Sequence, residues 1–362
     1  MLTRGDDYPV HQTPEPIAIA SAERNFYDRY FFNGYSADGR LFFAAALGVY
    51  PQLGVIDAAF CVTIDGVQHN LRASRPLGGE RMDLSVGPIR IEVIEPLKIL
   101  RVIVGANNSP IRADLTFTAR HAPIEEPRFT RRFEARLLMD YTRLTQNGGW
   151  SGSVAVGDQA IMVAPDTHWG TRDRSWGIRP VGAPDAQPAG GGMRQFWWLW
   201  MPFNFADRVA FFHSNDDGEG EAWNRRGVIA PLDGKAREFT AAIDVAYYPG
   251  TRRLASVRLE PWPGCALVVT PRDQHFYMSG LGYLHPQWGH GIDHGGELAV
   301  AYDTCPPGFG DAPGMLNLHI QAMADAVLTI DNVVHRGVGV VEQLFIGPHV
   351  ASGLTGLLDP AT

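Results

Sequence analysis

The sequence predicts an all-β protein made of two barrel- or sandwich-like domains. Three observations carry that expectation. Short runs of alternating, β-branched or aromatic residues follow one another closely, with turn residues between them and almost no helical periodicity. At 362 residues the chain exceeds the usual size of one hydrophobic core. The pattern also restarts midway. Residues 26–32 and 39–43 are echoed by 196–200 and 207–212, and 91–96 by 257–261.

In chain order, residues 1–22 read as an arm, because Pro9, Pro14 and Pro16 interrupt regular structure. Residues 26–35 are aromatic and β-prone, and Ser36-Ala37-Asp38-Gly39 is a turn signal. Residues 40–50 form a second apolar run; Ala44, Ala45 and Ala46 also allow a short helix there, which Pro51 would end. Asp65-Gly66 marks a hairpin between 55–64 and 67–73. Further strands are expected at 81–86, 89–94, 99–104 and 111–120. Ile89, Ile91 and Val93 alternate with Arg90 and Glu92, as a half-buried strand requires. The run 129–145 has no breaker, and its composition favours one long strand over a helix. Gly148-Gly149 is expected to turn it, with 150–156 pairing back. Residues 182–192 (GAPDAQPAGGG) are the best linker, which puts the two domains at 23–185 and 190–362.

A net charge of −8 and the lack of a basic patch argue against a nucleic-acid partner. Cys61, Cys265 and Cys305 are scattered without CxxC spacing, so buried reduced thiols are expected. No apolar run reaches membrane-spanning length and the polar N-terminus has no signal-like apolar core, so a cytoplasmic protein is expected; a homodimer is left open. Residues 149–153 (GWSGS) miss the last Gly of a nucleophile elbow, and no P-loop or dinucleotide fingerprint occurs. Residues 216–221 (DDGEGE) lack calcium-loop spacing and read as a hairpin turn.

Chemistry concentrates later in the chain: all nine Trp lie between Trp150 and Trp288, and nine of the twelve His from His168 onward. The stretch 166–180 (DTHWGTRDRSWGIRP) combines charges with large aromatics, which are costly to bury unless the charges pair. Trp169 and Trp176 are expected to wall a pocket, with Asp173 supplying its polar chemistry. Arg172, Arg174 and Arg179 read equally as a structural ion-pair knot around it. In 196–205 (FWWLWMPFNF), alternation sets Trp198 and Trp200 on one face and Trp197 and Leu199 on the other. One face is core; the other is core as well or lines a cavity. In 283–294 (YLHPQWGHGIDH), His290 and His294 have the spacing of helical zinc ligands, yet Pro286, Gly289 and Gly291 oppose a helix. Tyr283, His285, Trp288 and His290 therefore read as a pocket rim, and neither metal nor cofactor is expected. A carboxyl group held among Trp rings has its pKa raised and can act as an acid, while aromatic faces stabilise developing positive charge. That combination suits protonation of an alkene followed by capture of water held by a His or Tyr.

The segments 139–150 (MDYTRLTQNGGW), 168–180 (HWGTRDRSWGIRP), 283–291 and 339–343 (GVVEQ) resemble a family of lipocalin-like proteins related to AttH and to the carotenoid 1,2-hydratases, with kievitone hydratases as further relatives. The resemblance runs from about residue 26 onward, and Arg172–Gly177 (RDRSWG) is its most specific part. It implies two tandem lipocalin-like β-barrels. It also implies hydration of isoprenoid double bonds, or cyclisation of the Diels–Alder kind, by an acidic residue with His, Trp and Tyr partners. On that basis Asp173 is the expected acid and His168 or His213 the group that positions water. Trp169, Trp176, Trp198, Trp200 and His285 are expected to shape the site around a small hydrophobic substrate. The alternative is a lipid- or isoprenoid-binding protein that uses the same cavity without turnover.

Overall fold

The computed structural model describes residue 3 and residues 7–188 and 194–360. The first half supplies β1 (Phe26–Ser36), β2 (Leu41–Tyr50), β3 (Val55–Ile64), β4 (Val67–Pro76), β5 (Ser85–Val86), β6 (Ile89–Glu95), β7 (Ile99–Val104), β8 (Ile111–Ala119), β9 (Ile124–Glu125), β10 (Phe129–Phe133), β11 (Arg136–Val156), β12 (Gln159–Val163) and β13 (His168–Ile178). The second supplies β14 (Phe196–Phe205), β15 (Arg208–Asp216), β16 (Ala222–Pro231), β17 (Arg237–Phe239), β18 (Ile243–Tyr247), β19 (Leu254–Trp262), β20 (Cys265–Tyr277), β21 (Ala299–Cys305), β22 (Ile320–Ile330) and β23 (Val333–Ile346).

These strands form two curled antiparallel sheets of lipocalin-like type. The first runs β21-β4-β3-β2-β1-β13-β11-β8-β7-β6-β5, and the second β17-β16-β15-β14-β23-β22-β20-β19-β18. Strand order repeats between them: the opening strand of each unit pairs with its closing strand, β1 with β13 and β14 with β23. Two of the three sequence echoes fall on equivalent strands, β1 with β14 and β2 with β15. The third does not, because 91–96 lies in β6, whose positional counterpart is β18, whereas 257–261 lies in β19. The two halves are not fully separate either: β21, from the second half, pairs with β4 and extends the edge of the first sheet. Of the expected linker, residues 182–188 follow β13 as bends, while 189–192 fall outside the described residues.

Each sheet curls around its own core. The first encloses Phe32, Phe43, Phe60, Phe117 and Trp150, and the second Trp197, Leu199, Phe203, Phe212 and Leu267. A third core lies between the sheets, built from Phe31, Phe42, Trp198, Trp200, Phe211 and Met323 among others. Strands at the junction are therefore buried on both faces. All ten residues of β2 are buried: Leu41, Phe43, Ala45 and Leu47 face the first barrel's interior, and Phe42, Ala44 and Ala46 face the other sheet. The short helix allowed at residues 40–50 does not form. Two-sided burial outweighs alanine's helical preference, and the small side chains let the second sheet approach.

The Asp65-Gly66 hairpin is present, with φ of 50° and 77° as a two-residue turn of this hand requires. The expected turn at Gly148-Gly149 is not. Both glycines lie inside the 21-residue β11, and the reversal falls earlier, between β10 and β11, where Glu134 takes φ of 52°. Gly148 serves close approach instead: a Cβ there would strike the Phe117 ring and the Thr118 carbonyl. Gly170 on β13 is tighter still. Trp150 Nε1 donates to the Asn33 carbonyl at 2.9 Å across this position, and a Cβ would collide with both groups. Gly170→Ala is expected to cost at least about 1–3 kcal/mol, because the colliding atoms are backbone and a locked indole. Urea unfolding of the variant against the parent measures this, and an unchanged midpoint would contradict it.

Candidate active site

The junction between the sheets holds a cavity of about 410 Å³. Its walls come from β11 (Met139, Tyr141, Arg143), the segment after β13 (Arg179 to Gly182), β14 (Phe196, Trp198), the loop 282–292, His319 and β23 (Glu342, Leu344). It lies at the junction between the sheets and not in a barrel mouth, the usual ligand site of a lipocalin-like barrel.

The loop is held by the first sheet. A 3-10 turn at Met278–Leu281 presses on β3 and β4, where Arg72 donates to the Gly280 carbonyl at 2.8 Å. Gln68 brackets Tyr277, donating to its carbonyl (2.8 Å) and accepting from its N–H (2.7 Å). Asp57 accepts from the Gly291 N–H at 2.7 Å; burial raises its pKa to about 6. Arg29, buried on β1, donates to the Tyr283 hydroxyl at 2.6 Å. The Tyr283 ring stands edge-on between His290 and His319, with centroids 4.4 and 4.7 Å away.

Glu342 is the buried carboxylate at the cavity wall. It accepts from Gln321 Nε2 at 2.6 Å and Trp198 Nε1 at 3.1 Å, and it lies 2.8 Å from His319 Nε2. Burial alone would raise its pKa, but these hydrogen bonds outweigh burial and hold it below its ordinary value. Facing an ionised acceptor, His319 Nε2 carries a proton. The other ring nitrogen, Nδ1, is buried without a hydrogen-bond partner. A histidine oriented by a carboxylate, with its second nitrogen free, is built for proton transfer.

A second polar knot adjoins the cavity at Arg143 and Trp198. Arg143 pairs with Glu126 at 2.8 Å and approaches Asp173 at 3.9 Å, with its guanidinium 4.8 Å from the Trp198 ring. Thr145 donates to Glu126, and Trp200 Nε1 lies 3.4 Å from it. Burial pushes the Asp173 carboxyl up to about 7, with Arg143 opposing and Glu126 reinforcing.

The residues singled out from sequence divide accordingly. Trp198, Tyr283, His285, His290 and Arg179 line the cavity. Asp173 is buried on the junction face of β13 but sits behind Arg143 and does not line the cavity. His213 faces the second knot, its Nδ1 3.6 Å from Glu126, and burial lowers its pKa to about 4. His168 is at the far end of β13, about 17 Å along the strand from Asp173 at ordinary strand rise, in a separate hollow with Thr167. Trp169 is at that end too, under Arg120. Trp176 is 40% exposed on the opposite face of β13. Trp200 is buried near Glu126, and Trp288 stacks on His294 beside a smaller crevice. Among the described residues no group of three His, Cys, Asp or Glu could hold a metal ion.

The three arginines of the expected knot also part. Arg174, with Asp28, forms a part-exposed ion pair on the first barrel's side of β13, while Arg172 donates to Gln146 at 2.9 Å. Arg179 reaches the cavity, its NH2 3.1 Å from His290 Nδ1. Strand alternation explains the split: Arg172 and Arg174 share one face of β13, and Asp173 has the other. Sequence reasoning misses His319 and Glu342. Glu342 stands inside the GVVEQ segment that carries part of the resemblance, and a carboxylate in so apolar a strand is the available signal.

A family model described as a family of unknown function (DUF8625) matches residues 2–355, and the chain belongs to that family. No curated protein matches the sequence significantly. Among solved structures, the chain is similar to a Nitrosomonas europaea protein assigned as AttH (12% identity, TM-score 0.53, covering 94% of this chain and 99% of that one). It is also similar to CghA (12% identity, TM-score 0.53, covering 89% and 88%). Kievitone hydratase from Nectria haematococca gives a weaker likeness (12% identity, TM-score 0.49, covering 88% of each chain). At this identity the likenesses establish the fold alone. Among the described residues no helix is long and apolar enough to cross a membrane.

Asp173 gives a pH test. With its folded pKa near 7 and an unfolded value near 4, the unfolded state binds fewer protons in between, so stability falls as pH rises through that window. Below about pH 4 both states are protonated and the effect vanishes. Asn cannot titrate. Asp173→Asn is thus expected to compare better with the parent at pH 8 than at pH 4.5, by a few kcal/mol, since each tenfold difference in proton affinity is worth about 1.4 kcal/mol. Urea unfolding at both pH values measures it; a difference independent of pH contradicts it.

Proposed function

We propose that this member of the DUF8625 family is a cofactor-independent lyase of hydratase or cyclase type, acting on a C=C bond of a hydrophobic substrate in the cavity between the sheets. One observation carries the reading: at the wall of a largely apolar cavity Glu342 orients His319 through Nε2, and the buried Nδ1 has no partner in the protein. A site that only bound an apolar ligand would need apolar walls, not an ionised carboxylate aimed at a histidine.

In the hydration direction, one alkene carbon takes a proton and its neighbour takes the oxygen of water. The base takes a proton from the water as its oxygen adds and returns that proton to the alkene carbon, so substrate and one water give one alcohol. His319 Nδ1 is the group placed to move the proton, and Glu342 keeps its ring in the required tautomer. Tyr283, whose oxygen accepts from Arg29, can hold the attacking or departing water. Trp198 and the Arg143 knot beside it exclude solvent, which strengthens each of these interactions. Asp173, expected from sequence to be the acid, acts in this reading on Arg143 and not on substrate. In the cyclase alternative the same cavity holds a diene and a dienophile in register without adding water.

Incubation with unsaturated isoprenoid and aromatic compounds in D2O, read by mass spectrometry, tests the reading. The parent is expected to place deuterium on carbon. His319→Gln and Glu342→Gln are each expected to lose about 10²- to 10⁴-fold in rate. Asp173→Asn is expected to lose far less. A compound turned over equally well by His319→Gln would end the proposal.

A further inference from the structure

We propose that the cavity selects an amphipathic anion: an apolar body bearing a carboxylate, phenolate or enolate oxygen that Arg179 holds. The inference rests on the cavity being the ligand site, and it narrows the substrate class from hydrophobic compounds in general.

The carboxylates around the cavity are committed elsewhere: Glu342 accepts from Gln321 and Trp198 beside His319. Arg143 has Glu126 and Asp173. Arg179 has no carboxylate within ion-pair distance among the described residues. Its NH2 meets His290 Nδ1, its guanidinium lies 4.4 Å from the Tyr27 ring and 5.7 Å from the Tyr283 ring, and its buried Nε has no hydrogen-bond partner. Neither neighbour brings negative charge. The Tyr27 phenol has its pKa raised by burial. His290 has its pKa pushed well below the ordinary value by burial and by Arg29 and Arg179, so it accepts at Nδ1 as a neutral ring.

Arg29 repeats the pattern behind Tyr283. It donates to the Tyr283 hydroxyl and lies 3.4 Å from the Leu281 carbonyl, its Nε is unpartnered, and among the described residues no carboxylate pairs with it. Asp57, which acts on both arginines, already commits its oxygens to the Gly291 N–H and the Tyr50 hydroxyl.

A guanidinium cannot shed its proton to escape burial, so Arg179, at the cavity without an ion pair, is costly to hold until an anion arrives. A cavity of about 410 Å³ lined by Trp198, Tyr141, Leu344 and Ile292 takes the apolar remainder of such a ligand. Arg179 and His319 both line the cavity, so one ligand can reach both. A pure hydrocarbon would leave Arg179 unpaired in a drier site than before.

Two fluorescent probes with the same aromatic body separate charge from hydrophobicity: anionic 1-anilinonaphthalene-8-sulfonate and neutral N-phenyl-1-naphthylamine. The parent is expected to bind the sulfonate at least about tenfold more tightly, and the sulfonate to displace the neutral probe. Arg179→Met is expected to weaken sulfonate binding about 10- to 100-fold and to leave the neutral probe within about twofold, while Arg179→Lys keeps part of the preference. Equal affinity of the parent for both probes, failure of one to displace the other, or equal loss of both in a folded Arg179→Met protein overturns the anion assignment and leaves the cavity reading standing. Binding of neither probe overturns both. Should Arg179→Met not fold, the parent's probe ratio and Arg179→Lys decide.

Discussion

Everything at the junction depends on one constraint: polar groups buried between two apolar sheets must be satisfied from both sides. Glu342 is the clearest case. Its partners Gln321 and Trp198 lie on the second sheet, but Gln321 in turn accepts from Asn33 on β1 at 3.0 Å, and Asn33 accepts from Trp150 Nε1 and the Thr171 N–H. A continuous chain of hydrogen bonds thus runs from the interior of the first barrel to the carboxylate on the second. Leaving any buried link unpaired costs roughly 1–3 kcal/mol, so the sheets have little freedom to slide.

Other bridges repeat the pattern. Asn204 donates to the Tyr35 hydroxyl at 3.0 Å, Arg120 donates to Asn204 Oδ1 at 3.0 Å, and Arg72 and Gln68 hold the turn that leads into the 282–292 loop. The cavity is the space these bridges leave open. The junction is where a largely apolar cavity and charged side chains meet, and low local polarity raises the strength of each electrostatic contact there. The two polar knots then take different parts. Glu342 stays ionised because hydrogen bonds outweigh its burial, while Asp173 has its pKa raised because burial outweighs Arg143.

Much of the architecture was legible in the sequence. Period-two alternation placed most strands, and Asp65-Gly66 located its hairpin because only certain residues accept positive φ at both positions. Alternation in FWWLWMPFNF separated Trp198 from Trp197 correctly, since a pleated strand has no other way to face its side chains. The errors came from residues with two uses. Ala44–Ala46 suit a helix and also a strand pressed between two cores. Gly148 suits a turn and also a close approach to Phe117. Local sequence carries no information about what lies on the second face.

The site was legible as residue types and not as a constellation. Sequence alone determined that large aromatics, histidines and arginines crowd the segments 166–180, 196–205 and 283–294, and that these belong to β-strands and a glycine-rich loop. Tertiary structure decided which of them meet. It turned Arg179 toward a cavity and Arg174 to the first barrel's side of β13, and it set Asp173 behind Arg143. It also joined His319 to Glu342, which are 23 positions apart along the chain but 2.8 Å apart in space. The physical reason is that strand alternation fixes only which side of a sheet a residue faces, while the packing of one sheet on another fixes what waits on that side.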